Sequence, residues 1–263
     1  MNIKKDKILS LDKYIEEALY NFESGYYMKN NPFGKDGDFI TAPNISILFS
    51  EMIAIWIISF WEHLKCPKQF NLIELGAGNG EMMVQLIKTF NKFPLFKKSC
   101  KINILEISNS LKKIQKNKLK KKKVTWLGNL KEISNKPCIF IANEFFDALP
   151  VKQFLKKDNK WYEKKILMPQ SGINKFKNIF FDIKKIEKKI GFQISQKQKF
   201  IEYSPLSIGY LKQMAKKITS NGGGILIIDY GNWDLKMKNS LKSIYNHKFN
   251  NVLKNFSKAD ITY

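Results

Sequence analysis

A short apolar run that ends in a glycine-spaced turn and restarts as a helix constrains this chain more than any other feature. Asn71–Leu72–Ile73–Glu74–Leu75 reads as a strand, Gly76-x-Gly78-x-Gly80 follows, and Glu81 to Thr89 has helical spacing. The alternation continues. Lys101 to Ile107 is a second strand and Ser110 to Leu119 a second helix; Val124–Trp126 and Cys138–Ala142 are a third and fourth strand. Leu206 to Ile218 is a helix, and Ile225 to Gly231 a fifth strand, read as buried. Strands alternating with helices predict an α/β fold: a Rossmann-like parallel sheet covered on both faces.

Two regions depart from this rhythm. Ile8, Leu11, Ile15, Leu19 and Phe22 predict a helix over residues 8–22. Ile45 to Trp61 predicts a helix buried all round, capped by Asn44; Ser46, Ser50, Glu51 and Ser59 interrupt it too often for a membrane span of about 20 residues. Between Val151 and Phe200, Gln153–Leu155 and Trp161–Met168 flank Asp158–Asn159, which predicts a β-hairpin inside an insertion.

The net charge is +23, yet no arginine occurs: all 46 basic residues are lysine. Arginine supplies the bidentate contacts on which phosphate and base recognition rely. The lysine excess therefore reads as a solvated surface in a compositionally biased chain, and no specific nucleic-acid partner is expected. Cys66, Cys100 and Cys138 are far apart and His63 and His247 are the only histidines, so neither a disulfide framework nor a metal site is expected.

The glycine turn carries the chemistry. A dinucleotide fingerprint needs a glycine at position 81, where this chain has Glu81, and no Gly-Lys-Ser/Thr follows for a nucleotide triphosphate loop. A glycine turn preceded by Glu74 suits S-adenosylmethionine, whose ammonium and sulfonium groups are cationic. Glu106 closes the second strand, where a carboxylate can accept both hydroxyls of a ribose. Asn143–Glu144–Phe145–Phe146–Asp147–Ala148–Leu149–Pro150 follows the fourth strand and lands at the carboxyl edge of a parallel sheet, where such folds bind ligands.

Several segments resemble the MidA family of class I S-adenosylmethionine-dependent methyltransferases, relatives of mitochondrial complex I assembly factor 7. They are Gly25–Tyr26–Tyr27, Gly37–Asp38–Phe39-x-Thr41–Ala42–Pro43, Glu74–Leu75–Gly76-x-Gly78-x-Gly80, Asn143 to Phe154 and Ile228–Asp229–Tyr230–Gly231. The resemblance runs along nearly the whole chain in order. It departs at Asn44, Ala77 and Asn79, where the family usually has Glu, Pro and Arg. It implies a protein-arginine methyltransferase acting on a subunit of NADH:ubiquinone oxidoreductase during assembly. Carried over by position, Gly76, Gly78 and Gly80 hold the methionyl part, Glu106 and Ser108 the ribose, and Asn129 with Leu130 lie near the adenine. Asp38 and Thr41 cover the cofactor, with Glu74 and Asn143 also at the site. It also implies a sheet continued by further strands after Asn239–Tyr263, so the last strands are expected to be missing here.

The expected organisation is an N-terminal helical segment and cofactor-covering loop at 1–62, a methyltransferase core at 63–150 and 200–263, and an inserted β-rich substrate cap at 151–199. Trp161, Tyr162, Phe176, Phe180 and Phe181 in that cap are expected to grip a protein partner. Glu144, then Asp147, are the candidate catalytic carboxylates, each able to pair bidentately with a guanidinium. A non-enzymatic assembly factor and a nucleic-acid methyltransferase are the alternatives. A start without a signal or transit sequence, together with the lysine bias, predicts a bacterial cytoplasm; the oligomeric state is left open.

Overall fold

The computed structural model describes residues 6–29, 32, 42–231 and 234–263. The expected cofactor-covering residues Asp38 and Thr41 lie outside them. The chain divides into two compact units. One comprises residues 27–146 and 209–230, and the other residues 1–26, 147–208 and 231–263. This division differs from the expected one: residues 231–263 group with 147–208 and not with the glycine-turn strand.

The first unit is the expected α/β sheet. Its strands lie in the order Gly223–Ile228, Cys138–Asn143, Phe70–Leu75, Cys100–Leu105, Val124–Leu127. Every neighbouring pair is parallel. Successive side chains point to opposite faces, so each strand feeds two cores. Leu72, Ile139 and Ile141 pack with Ile53, Ile57, Met83 and Leu86 from the helices Ile47–His63 and Glu81–Phe90. Ile73, Leu75, Phe140 and Ala142 pack with Leu105, Leu130 and Met214. Parallel pairing brings all five carboxyl ends to one edge, where Gly76, Glu106, Gly128, Glu144 and Asp229 follow directly.

Three expectations are corrected in this unit. The strand Gly223–Ile228 is the edge strand and only partly buried, because it has one neighbour. The apolar helix, Ile47–His63, buries one face through Ile53, Ala54, Ile57, Ile58 and Trp61 while Leu48, Met52 and Ile55 stay exposed. Ser46, not Asn44, occupies its N-cap position; Asn44 lies in the preceding short helix Ala42–Ile45. Among the described residues no helix is long and apolar enough to cross a membrane.

The second unit is antiparallel. The predicted hairpin forms from Lys152–Lys157 and Lys160–Met168, with Asp158 (φ 48°) and Asn159 (φ 57°) both in the left-handed region its tight turn requires. Phe200–Tyr203 pairs with the first hairpin strand and Lys175–Phe180 with the second. Lys7–Ser10 also pairs with the long strand, over Lys165 to Met168. Residues 8–10 are therefore strand, and the predicted helix begins only at Leu11 and ends at Tyr20. The apolar spacing of 8–22 cannot separate the two, since a strand entering a helix keeps its inward residues. Phe154, Trp161, Ile183, Ile186 and Ile201 form a core here. Trp161 is 6% exposed, so it supports this core and is not available to grip a partner, as the sequence had suggested. Lys242–Tyr245, Lys248–Phe249 and Asp260–Thr262 form a separate three-stranded antiparallel sheet.

Candidate active site

The turn after Phe70–Leu75 is built as its glycines require. Gly76, Gly78 and Gly80 have φ of 63°, 51° and 79°, a region costly for any residue with a Cβ. At Gly76 a Cβ would also come within 2.6 Å of Phe145 Cδ2. The Gly76 N–H donates to the Leu105 carbonyl at 3.0 Å and the Gly80 N–H to the Ala77 carbonyl at 2.8 Å. Asn79 closes the turn from both sides: its Oδ1 accepts from the Glu81 N–H at 3.1 Å and its Nδ2 donates to Asn44 Oδ1 at 3.1 Å.

Two buried carboxyls lie at this edge. Glu74 is 2% exposed, and its Oε2 has no hydrogen-bond partner. Burial, with the nearby Glu106 charge, pushes its pKa up to about 8. A buried acceptor left without a donor is costly; a cationic ligand group would relieve it. Glu106 is also buried and raised by burial, although the Ser108 N–H, Gln115 and the Ile107 N–H oppose the shift. The Ser108 N–H donates to Glu106 Oε1 at 2.9 Å, and Ser108 Oγ accepts from the Leu111 N–H, capping the helix Asn109–Leu119. Ser108 thus holds Glu106 through its backbone while its hydroxyl serves the helix. Asn129 caps a short helical turn, accepting from the Lys131 N–H at 2.9 Å, and Leu130 is buried in the second core.

The fourth strand delivers the third group of residues. Asn143 ends it, and its Oδ1 is buried without a partner. Glu144 has φ 48°, a strained left-handed conformation for a side-chain-bearing residue. Its N–H donates to the Ile228 carbonyl at 2.8 Å. Burial raises its carboxyl pKa, the Asp229 charge raises it further, and the Asn143 side chain opposes them. Asp229 follows the adjacent strand and accepts from the Phe146 N–H at 2.9 Å and from its neighbour's N–H, Tyr230, at 2.8 Å. Phe145 stands edge-on to Tyr210 with ring centroids 5.4 Å apart, and burial and the Glu106 charge raise the Tyr210 pKa.

Glu74, the three glycines, Glu106, Ser108, Asn129, Leu130, Asn143 and Glu144 therefore share one carboxyl edge, as expected. Asp147 groups with the antiparallel unit, where its carbonyl accepts from the Tyr263 N–H at 3.2 Å. The acid that flanks Glu144 is Asp229. Its signal was present, because Asp229 ends the fifth strand beside the fourth. Gln115 and Tyr210 are further site residues that spacing alone did not mark.

The donor set fits S-adenosylmethionine. An orphaned buried carboxylate oxygen faces the need of an ammonium, positive-φ glycines leave open backbone, and a second carboxyl at the next strand suits a diol. Among the described residues no cluster of His, Cys, Asp or Glu could hold a metal ion.

Comparisons with known proteins agree. The family described as "Putative S-adenosyl-L-methionine-dependent methyltransferase" matches residues 52–263. The mitochondrial protein arginine methyltransferase NDUFAF7 of Xenopus laevis is 30% identical over 99% of this chain and 65% of its own length. The human NDUFAF7 is 28% identical over 99% of this chain and 64% of its own. The chain thus spans about two thirds of the length of these relatives. A solved superfamily member from Burkholderia thailandensis, bound to S-adenosyl-homocysteine, superposes with a TM-score of 0.79 at 20% identity, covering 97% of this chain and 68% of that one.

Proposed function

The chain belongs to the S-adenosyl-L-methionine-dependent methyltransferase family, and from that premise we propose that it transfers methyl groups to arginine in a protein substrate. The observation that carries this reading is the carboxyl pair Glu144 and Asp229 at the same strand edge as the glycine turn and Glu106. The names of the relatives support the arginine specificity. The MidA resemblance supports a subunit of NADH:ubiquinone oxidoreductase as substrate, and the lysine bias a bacterial cytoplasm as its setting.

The cofactor supplies the electrophilic methyl group, and the protein supplies position and electrostatics. A guanidinium keeps its proton up to pH 12 and beyond, and is a poor nucleophile. Glu144 accepts two of its N–H bonds, which concentrates positive charge on the paired nitrogens and leaves the third to attack. Docking of that cation lowers the Glu144 pKa, reversing what burial and Asp229 raise. The third nitrogen sheds its proton to water on methylation, while Glu144 stays paired with the other two.

The test has two stages. Calorimetry measures S-adenosylmethionine affinity, and a labelled-methyl assay then measures transfer to candidate respiratory subunits. Glu144→Gln is expected to lower transfer at least a hundredfold while cofactor affinity stays within about twofold. Full transfer by that variant would end the assignment. Binding without transfer to any protein would favour an assembly factor, and steeply salt-dependent nucleic-acid binding a nucleic-acid methyltransferase.

A further inference from the structure

Gln115 ties together three parts of the site that lie far apart in the sequence. It is 0% exposed on the helix Asn109–Leu119. Its Nε2 donates to the Gly78 carbonyl at 2.8 Å and to Glu106 Oε2 at 3.0 Å. Its Oε1 accepts from Trp126 Nε1 at 2.9 Å. We propose that Gln115 is a positioning residue that locks the Glu106 carboxylate to the glycine turn, so that both are preset for the ribose diol of an adenosyl ligand. The inference rests on the cofactor reading above.

Each side of the amide has one task. Turned over, the amide would face its oxygen toward two acceptors and its N–H groups toward the Trp126 donor, so only one orientation satisfies the cluster. With the Ser108 N–H on Oε1 and Gln115 on Oε2, both Glu106 oxygens are fixed, and the carboxylate keeps acceptor capacity for a ligand hydroxyl. Gly80 makes room for this. A Cβ there would sit 3.3 Å from Gln115 Cγ, so the side chain would have to give way by a few tenths of an ångström. The hydrogen bonds also counter burial, which disfavours the charged form of Glu106 that a diol needs as its acceptor. Trp126 acts one step further out, since it orients the amide but touches neither Glu106 nor Gly78 in this network.

The experiment is calorimetry of the full chain with S-adenosylhomocysteine, adenosine and 2′,3′-dideoxyadenosine, on wild type, Gln115→Met and Trp126→Phe. Gln115→Met keeps the volume and removes the amide. It is expected to weaken S-adenosylhomocysteine and adenosine about tenfold or more. Dideoxyadenosine, which lacks the hydroxyls, is expected to change little, so the preference for the diol shrinks. Trp126→Phe is expected to shrink it in the same direction by less. A merely structural role would weaken all three ligands alike. An unchanged diol preference in folded Gln115→Met overturns the inference; if that variant does not fold, an unchanged preference in Trp126→Phe does so. Wild type that binds none of the three ligands would overturn the cofactor reading itself, a result distinct from either.

Discussion

The parallel and antiparallel units solve the same problem of burying apolar surface in different ways, and only one of them builds a site as a by-product. In the parallel unit every strand runs the same way, so every strand end that carries a polar residue arrives at one edge. Gly76, Glu106, Glu144 and Asp229 meet there without any need for proximity in sequence. In the antiparallel unit neighbouring strands reverse, so their ends alternate between two edges and polar residues disperse. Several of its buried polar groups are satisfied internally, though Ser257 Oγ has no hydrogen-bond partner. Lys152 bridges Asp12 at 3.0 Å and Glu163 at 2.9 Å, and the Gln153 amide donates to Glu202 at 2.7 Å and to Asn239 at 2.6 Å. Those groups staple distant segments of chain. Glu74 Oε2, in the parallel unit, is left without a partner. At the glycine-turn edge, such an orphaned acceptor is where a cationic ligand group fits.

The comparison can be broken most forcefully from the scaffold side. Phe154 is fully buried in the antiparallel core, and Phe154→Ala is expected to cost about 3–5 kcal/mol in chemical denaturation. Calorimetry under native conditions should still find S-adenosylhomocysteine affinity within about twofold, because every residue argued to hold it lies in the parallel unit. A large loss of affinity in the folded variant would mean that the site does not belong to one unit.

Glu74→Gln tests the orphaned carboxyl. A folded pKa of about 8 against an ordinary value of 4.5 means that the native state binds a proton more tightly than the unfolded chain does. Stability of the ligand-free protein is then full below pH 4.5 and falls as pH rises toward 8. The variant removes that fall and is expected to be more stable than wild type at pH 8 by roughly 2–4 kcal/mol, with little difference at pH 5. Parallel stability curves for the two proteins would contradict the placement. The same variant should bind S-adenosylmethionine more weakly.

Gly76→Ala adds a Cβ at φ 63° against the Phe145 ring. A loss of about 1–3 kcal/mol is expected, together with at least a tenfold weaker S-adenosylhomocysteine affinity. Thermal unfolding and calorimetry read the two effects separately. The smallest effect is expected at Asn79, whose Oδ1 accepts from the Glu81 N–H where the helix begins. Asn79→Ala should cost about 1 kcal/mol.

Much of the parallel unit was legible because its signals are local. Strands buried on both faces must be apolar at every position, as Cys138–Ile139–Phe140–Ile141–Ala142 is, and the residues after them are the site by geometry alone. The helices Asn109–Leu119 and Pro205–Asn221 likewise lie within a residue or a few of their expected bounds. In the antiparallel unit the legible parts were the helix Leu11–Tyr20, from its apolar spacing, and the Asp158–Asn159 turn, where two adjacent residues specify a hairpin. The pairing of Lys7–Ser10 with a strand more than 150 residues later leaves no local trace.

By itself, then, the sequence determined the parallel sheet, the glycine turn and the carboxyls at Glu74, Glu106 and Glu144, because strand burial and positive φ each select residue types one position at a time. Tertiary structure decided which residues meet. It set Asp229 beside Glu144, put Trp161 inside a core, and threaded Gln115 between Glu106 and Gly78. A glutamine on a lysine-rich helix looks like surface until the neighbouring strand and turn exclude water around it. Burial and partnership depend on segments far along the chain, and no local pattern encodes them.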